Sequence, residues 1–257
     1  MEPAELSRVI GKYLRPQTFP LGFRFLKSRD EAPEKTRFIP DIAICQAYGL
    51  ARRYGWTVYF DVNTTCPLGI IAYGFAEPDE IYKSGRLAYD AGYAAHMELG
   101  VKFEDAVPKL KPGEFEGCVV APLEKCKEVD FVVVYGNAAQ ILRMVHAVLH
   151  EKGGGLETRI LGRGACSEYL EAYIEKKPRF VVPCYGDRLF GLTQDDEVAF
   201  SFPYQMAEEI ARNLEATHRR GIRYPIPVTA LRLKLPMIKS YEECVKNLRD
   251  KDWTNED

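Results

Sequence analysis

An α/β layered fold is predicted by three features of the chain. Runs of β-branched and aromatic residues alternate with runs of helical periodicity, glycine or proline punctuates most boundaries, and one order of elements occurs twice. The recurrence adds a further expectation: two pseudo-symmetric α/β halves from an internal duplication, sharing a mixed sheet. On that reading residues 1–117 are the first half with an N-terminal helix, residues 118–235 the second half, and residues 236–257 a C-terminal helix and tail.

Each element has its own reason. Glu5 to Leu14 is amphipathic and predicts a short helix, followed by a strand in "LGFRFLK" and a loop rich in proline and charge up to Pro40. In "DIAICQAYGLARRYG", Ile44, Tyr48 and Ala51 recur at helical spacing together with Ala47 and Tyr54, and Gly55 is a natural stop. "WTVYFDV" predicts a strand from its aromatic and β-branched content. In "NTTCPLGIIAYGF", Pro67 suits the first helical position, where its missing N–H would have no partner, so Cys66 becomes the N-cap.

A longer helix is expected from Glu77 to Met97, then two apolar strands, "GCVVAPL" and "DFVVVYG". "AAQILRMVHAVLHEK" predicts a helix stopped by Gly153, Gly154 and Gly155, "LETRILG" a strand, and "CSEYLEAYIEKK" a helix. "RFVVPCYGDRLFG" and "EVAFSFP" predict strands, and "YQMAEEIARNLEATHRRG" a long helix ended by Gly221. The remainder, with "RYPIP" and an acidic end, predicts wrapping and tail.

The two series align without a gap at an offset of 100 residues: Ala47 on Ala147, Gly55 on Gly155, Cys66 on Cys166, and Ala72-Tyr73 on Ala172-Tyr173. These identities are few, so the duplication rests on element order more than on letters. It would relate Cys66 to Cys166 by a pseudo-twofold axis.

Composition excludes several functions. The 257 residues carry a formal charge of −2 with Lys and Arg spread along the chain, which offers no footprint for nucleic acid or anionic lipid. No run approaches the ~18 apolar residues of a membrane span, and "MEPAELSRVIGKYL" has no signal-peptide core, so a cytoplasmic protein is expected. Its seven cysteines are then thiols, not a disulfide framework.

Most thiols of a reduced protein are buried small hydrophobes. Cys66 and Cys166 differ because each falls where a helix begins, and unpaired N–H groups there favour thiolate, the form that attacks electrophiles and binds metals. Cys45 lies beside the Ile44 and Tyr48 face, and its counterpart at the same offset is Val145, so the repeat offers three thiolates. Three sulfurs with one position open suit a [4Fe–4S] cluster or a catalytic zinc, although the spacing itself matches no ligand signature. Cys184, at a strand end in "VVPCYGDR", is the candidate fourth ligand; Cys118 reads as core, Cys126 as a charged loop and Cys244 as part of a tail helix.

Other patterns are weaker. His146 and His150 are spaced to share a metal, but Arg143 on the same stripe would repel a cation, so a solvated helix face is expected. "GRGACS" lacks the lysine of a P-loop. Asp187 and Arg188 in "YGDRLFG" form either a tight turn or a pair that orients an anionic substrate, with Arg188 the first choice for that role.

Taken together, "CQAYGLARRYGW", "CPLG", "YGNAAQILRMVHA", "GRGACSEY", "VVPCYGDRLFG" and "DDEVAFSFP" resemble domain-of-unknown-function family 169 of bacteria and archaea, from about Leu21 to Pro227. That resemblance implies no particular reaction. It implies recurring cysteines at Cys45, Cys66 and Cys166, none at Cys118, Cys126 or Cys244, and glycine among relatives at Cys184.

The expected function is therefore a cytoplasmic iron–sulfur protein in which Cys45, Cys66 and Cys166 hold a [4Fe–4S] cluster. Its open iron would serve a small-molecule substrate, in a lyase or desulfurase, or the cluster would serve a redox partner, in an oxidoreductase or electron carrier. The alternatives are a zinc or haem-thiolate protein and a cofactor-free module that binds a small acid or thioester. Neither nucleic acid nor membrane is an expected partner.

Overall fold

In the computed structural model, which describes residues 1–226 and 237–249, seven strands join in one open mixed sheet. They are β1 (Leu21–Leu26), β2 (Arg37–Phe38), β3 (Val58–Asp61), β4 (Gly117–Pro122), β5 (Phe131–Asn137), β6 (Arg179–Val181) and β7 (Glu197–Pro203), in spatial order β2-β3-β4-β1-β5-β7-β6. All neighbours are antiparallel except β2 and β3. β1 lies between β4 and β5, opposing Leu21 to Pro122 on one side and to Val133 on the other, so the sheet runs without a break across residue 117.

Strand alternation builds two cores. Phe131, Val133 and Tyr135 of β5 face one way, with Phe23, Phe60, Val120 and Ala199, and are covered by α2 (Ile44–Tyr54), α3 (Pro67–Ala72) and α8 (Ala165–Glu175). Val132 and Val134 face the other way, with Phe200 and Phe202, and are covered by α1 (Pro3–Leu14), α7 (Ala138–Leu149) and α10 (Ala207–Arg219). Burial on both faces explains why "FVVVYG" reads as a continuous apolar run.

The mixed α/β class is as the sequence predicts; the duplication is not seen. α2 and α7, which would be equivalent, lie on opposite faces of the sheet, whereas α3 and α8 share a face, and no single twofold axis does both. The counterpart of β3 is missing too: "LETRILG" forms no strand. Its Glu157, Thr158 and Arg159 are spent on side-chain and carbonyl contacts with α8 and β6 in place of a ladder.

Two further expectations are corrected. The helix from Glu77 to Met97 is instead α4 (Glu80–Lys83), α5 (Arg86–Asp90) and the start of α6 (Met97–Ala106), interrupted where Gly85 and Gly92 turn left-handed. "RFVVPCYGDRLFG" is strand only over β6; Tyr185 to Gly191 form a helix, α9. Cys184 is thus a helix N-cap and not a strand end.

Residues Met1–Pro225 form one compact unit. Of the second, Ile226–Asp257, the described helix is α11 (Lys239–Arg249), which carries the exposed Cys244. The wrapping segment and acidic end expected after Gly221 fall mostly on residues 227–236 and 250–257, outside the described residues. Among the described residues, no helix is long and apolar enough to cross a membrane.

Two close backbone approaches place the helix starts. α2 meets α9 where a Cβ on Gly49 would stand 2.7 Å from the Gly191 carbonyl oxygen, and one on Gly191 would stand 2.9 Å from the Cys45 carbonyl oxygen and 2.4 Å from Asp187 Oδ1. α8 meets α3 at Gly164, left-handed at φ 67°, whose Cβ would stand 2.5 Å from Leu68. Gly191→Ala is therefore expected to lose about 1–3 kcal/mol through overpacking, read as a lower urea midpoint with unchanged slope; wild-type stability would show that α2 and α9 are not held this closely.

Candidate functional site

Four helices begin at one place, and each brings a cysteine. Cys45 is the second residue of α2, Cys66 the N-cap of α3, Cys166 the second residue of α8 and Cys184 the N-cap of α9. All four are half-buried, at the edge of the core under α2, α3 and α8. They are near enough that a charge on one acts on the rest: Cys45 on Cys66 and Cys184, Cys66 on Cys184, and all three on Cys166.

Thus Cys45, Cys66 and Cys166, singled out from sequence, are brought together, and Cys184 stands with them. The sulfurs are free thiols and are not gathered at coordination distance; among the described residues, no group of three or more His, Cys, Asp or Glu is placed to hold a metal ion. The Cys45 thiol donates to the Gly186 carbonyl oxygen at 3.6 Å.

The expectation that helix starts favour thiolate is overturned by burial. At Cys66 the N–H groups of Gly69 and Leu68 do pull the thiol down, but desolvation outweighs them and the net shift is up. Cys45 and Cys166 are pushed up as well, by burial first and then by neighbouring cysteines and Asp187. Thiolates at Cys45, Cys66 and Cys166 are thus disfavoured together unless a cation offsets them.

Beneath the thiols lies a buried polar floor. Asp187, in the first turn of α9 after Cys184, accepts the Tyr135 hydroxyl at 3.0 Å and the Tyr169 hydroxyl at 2.8 Å, while Oδ1 has no partner. Burial raises its pKa despite these donors and the nearby Arg52. Tyr48 and Tyr73 share a 2.5 Å hydroxyl contact, and both lie within electrostatic reach of Cys166.

One wall is charged. Arg163, between the two glycines that lead into α8, is buried, bonds Glu104 at 2.6 Å and lies close enough to Cys66 to favour its thiolate. Its guanidinium is 5.5 Å from the ring of Tyr93, which also senses Cys184. Glu168, which burial pushes up to about 7, accepts the Leu161 N–H and pins this loop.

The other sequence candidates lie elsewhere. Arg188 donates to the carbonyls of Gln194 and Glu197, so it braces the turn after α9 and only Asp187 of that pair joins the site. Cys118 is buried in β4, and Cys126 packs where a Cβ on Gly22 would stand 2.7 Å from its sulfur. Arg143 is buried, donating to Thr217 Oγ1 and the Leu214 carbonyl, so its stripe is not the solvated face expected. The tyrosines of the floor and the Arg163–Glu104 pair were not foreseen: tyrosine at helical or strand spacing reads as core, and nothing in sequence links residues 104 and 163. The Gly-Arg-Gly stretch before Cys166 was the one available signal.

The other end of α2 is clamped. Arg52 bonds Glu197 at 2.8 and 3.0 Å, with its guanidinium 4.1 Å from the Tyr135 ring centroid, and also reaches Thr193 and the Leu192 carbonyl, just past α9. The pair thus fixes both α2 and α9, whose opposite ends carry Cys45 and Cys184.

Comparison with known proteins places the chain among uncharacterised sequences. Residues 9–213 match the family DUF169, described as Uncharacterised ArCR. A relative from Methanocaldococcus jannaschii, named uncharacterized protein MJ0308, is 29% identical over 201 residues, covering 76% of this chain and 86% of its own. No solved structure matches.

The clamp carries a pH dependence. Burial raises the Glu197 carboxyl, but Arg52 and the Gln194 N–H outweigh it and hold it below its ordinary 4.5. A depressed carboxyl stabilises the fold above its unfolded pKa and loses that contribution as pH falls through the folded value. Glu197→Ala, which leaves Arg52 buried and unpaired, is expected to cost about 3–5 kcal/mol at pH 7, with the gap to wild type closing below about pH 4. Urea denaturation across pH checks this; a gap independent of pH would remove the ion pair from the account.

Proposed function

The chain belongs to the uncharacterised DUF169 family, and we propose that this member is an iron–sulfur protein whose Cys45, Cys66 and Cys166 hold a [4Fe–4S] cluster. The observation behind the reading is the convergence of four cysteine-bearing helix starts on one half-buried place. Clustered thiols that burial and mutual repulsion keep protonated would be stabilised as thiolates by a cationic centre, which releases their protons on binding. The N–H groups at the helix starts and Arg163 beside Cys66 offset the negative charge that thiolates and sulfides bring.

Three thiolate ligands leave one iron for an outside ligand, the chemistry of cluster-dependent lyases and desulfurases, while a fourth thiolate from Cys184 would suit an electron carrier or oxidoreductase. The partner is accordingly a small substrate in the first case and a redox protein in the second. The residues that would meet a substrate there are Tyr93 and Arg163, paired on one side of the thiols, and Asp187 with the Tyr135 and Tyr169 hydroxyls that bond it. Arg163 would attract an anionic substrate group, and the unpaired Asp187 oxygen would accept a proton or a hydrogen bond.

Anaerobic purification with iron, zinc and acid-labile sulfide analysis on one sample is the test. Roughly four irons and four sulfides per chain are expected, lost in Cys66→Ser and Cys166→Ser and retained in Cys244→Ser. Retention in Cys184→Ser selects the three-ligand site, and loss selects four. Stoichiometric zinc without sulfide would make the site a zinc centre. Metal-free protein would leave a cofactor-free pocket for a small acid or thioester.

A further inference from the structure

A second concave site lies at the far end of α2 from the cysteines. The last turn of α2, the middle of α1 from Ser7 to Gly11 and the segment from Arg15 to Pro20 enclose a cleft of about 470 Å³, within the range of small-ligand sites. Four arginines line it, Arg8, Arg15, Arg52 and Arg53, against one carboxylate, Glu124. Phe19, 39% exposed, gives it an apolar wall.

The floor is built. Arg52 is fully buried, and its two terminal nitrogens are taken by Glu197, Thr193, Thr18 and the Leu192 carbonyl, leaving Nε without a partner; Arg53 gives Nη2 to the Leu192 carbonyl and to Glu197, and its buried Nε is unpartnered as well. The rim segment is tied down by the Phe19 N–H, which donates to the Arg52 carbonyl at 3.0 Å. Glu197 offsets the charge of Arg52 and part of that of Arg53. Arg8 and Arg15 are exposed and have no ion-pair partner among the described residues.

Helix ends explain part of this charge. Arg15 caps α1, and Arg53 lies in the last turn of α2, where carbonyl ends favour cations. Arg8 is in the middle of α1, and no helix terminus accounts for it. Guanidinium groups on opposite walls suit an oxyanion taken by paired N–H donors, carboxylate or phosphate alike.

We infer that this cleft binds a small multivalent oxyanion, held between Arg8 and Arg15 of the first wall and Arg53 of the second, above a floor fixed by Arg52. The site is distinct from the cysteine cluster, at the opposite end of α2, and its test does not require the cluster's cofactor.

Titration calorimetry on the full chain, with pyrophosphate and with citrate as probes, tests it. Saturable binding of at least one probe is expected, weakened at least about tenfold in Arg8→Ala/Arg15→Ala and weakened by added salt. Both substituted side chains are exposed, so the variant should keep its circular dichroism and the metal content of wild type. Pyrophosphate alone would assign a phosphate ligand, citrate alone a carboxylate, and both a site that reads charge. No saturable binding of either probe up to about 5 mM, or equal affinity in the folded variant, would overturn the inference.

Discussion

The contact on which the site depends is that of α2 with α9, two helices that approach through glycine backbone, with the Cys45 thiol donating to the Gly186 carbonyl across the gap. Gly49 lies against the Gly191 carbonyl, and Gly191 against the Cys45 carbonyl and the Asp187 carboxyl. At the far end Arg52 ties α2 to Glu197 and to the chain just after α9. With this pair of helices fixed, Cys45 and Cys184 stand together; with α3 and α8 fixed through Gly164 and Leu68, Cys66 and Cys166 join them.

What accumulates there is a set of groups that water would ordinarily keep apart. Four thiols, an aspartate with an unpaired oxygen and four tyrosine hydroxyls share one side of the core. Such a set is costly without compensation. The thiols of Cys45, Cys66 and Cys166 are held neutral by burial, the hydroxyls pair with one another or with Asp187, and Arg163 is itself held by Glu104. A cationic centre would favour the thiolate forms because its attraction for each outweighs their mutual repulsion, and this is the physical core of the iron–sulfur reading.

The molecule also separates its charges along α2. Its N-terminal end faces thiols, and its C-terminal end faces the arginine-lined cleft. Arg52 belongs to both regions, lying over Tyr135, which bonds Asp187, while forming the floor of the cleft. The two sites are linked through one rigid helix and remain separately testable.

Local pattern in the chain determined most of the elements and the class. The β-branched and aromatic run in "FVVVYG", the stop at Gly55 and the proline after Cys66 each act over a few residues, and each reappears as a strand, a left-handed cap or a first helical turn. Sequence also singled out Cys45, Cys66 and Cys166, through helix starts and family resemblance. It misled where local signals were shared by two structures: "PCYGDRLFG" has strand-like residues but becomes α9 because packing against α2 rewards a helix there, and "LETRILG" finds no ladder to join. An apparent repeat was likewise a likeness of order, undone when α2 and α7 took opposite faces of the sheet. Only tertiary structure could decide that Cys184 stands with the other three, that burial outweighs the helix starts at every shifted thiol of the cluster, and that Glu104 meets Arg163. These are relations between residues tens of positions apart, and desolvation is a property of the folded surroundings that no short stretch of sequence carries.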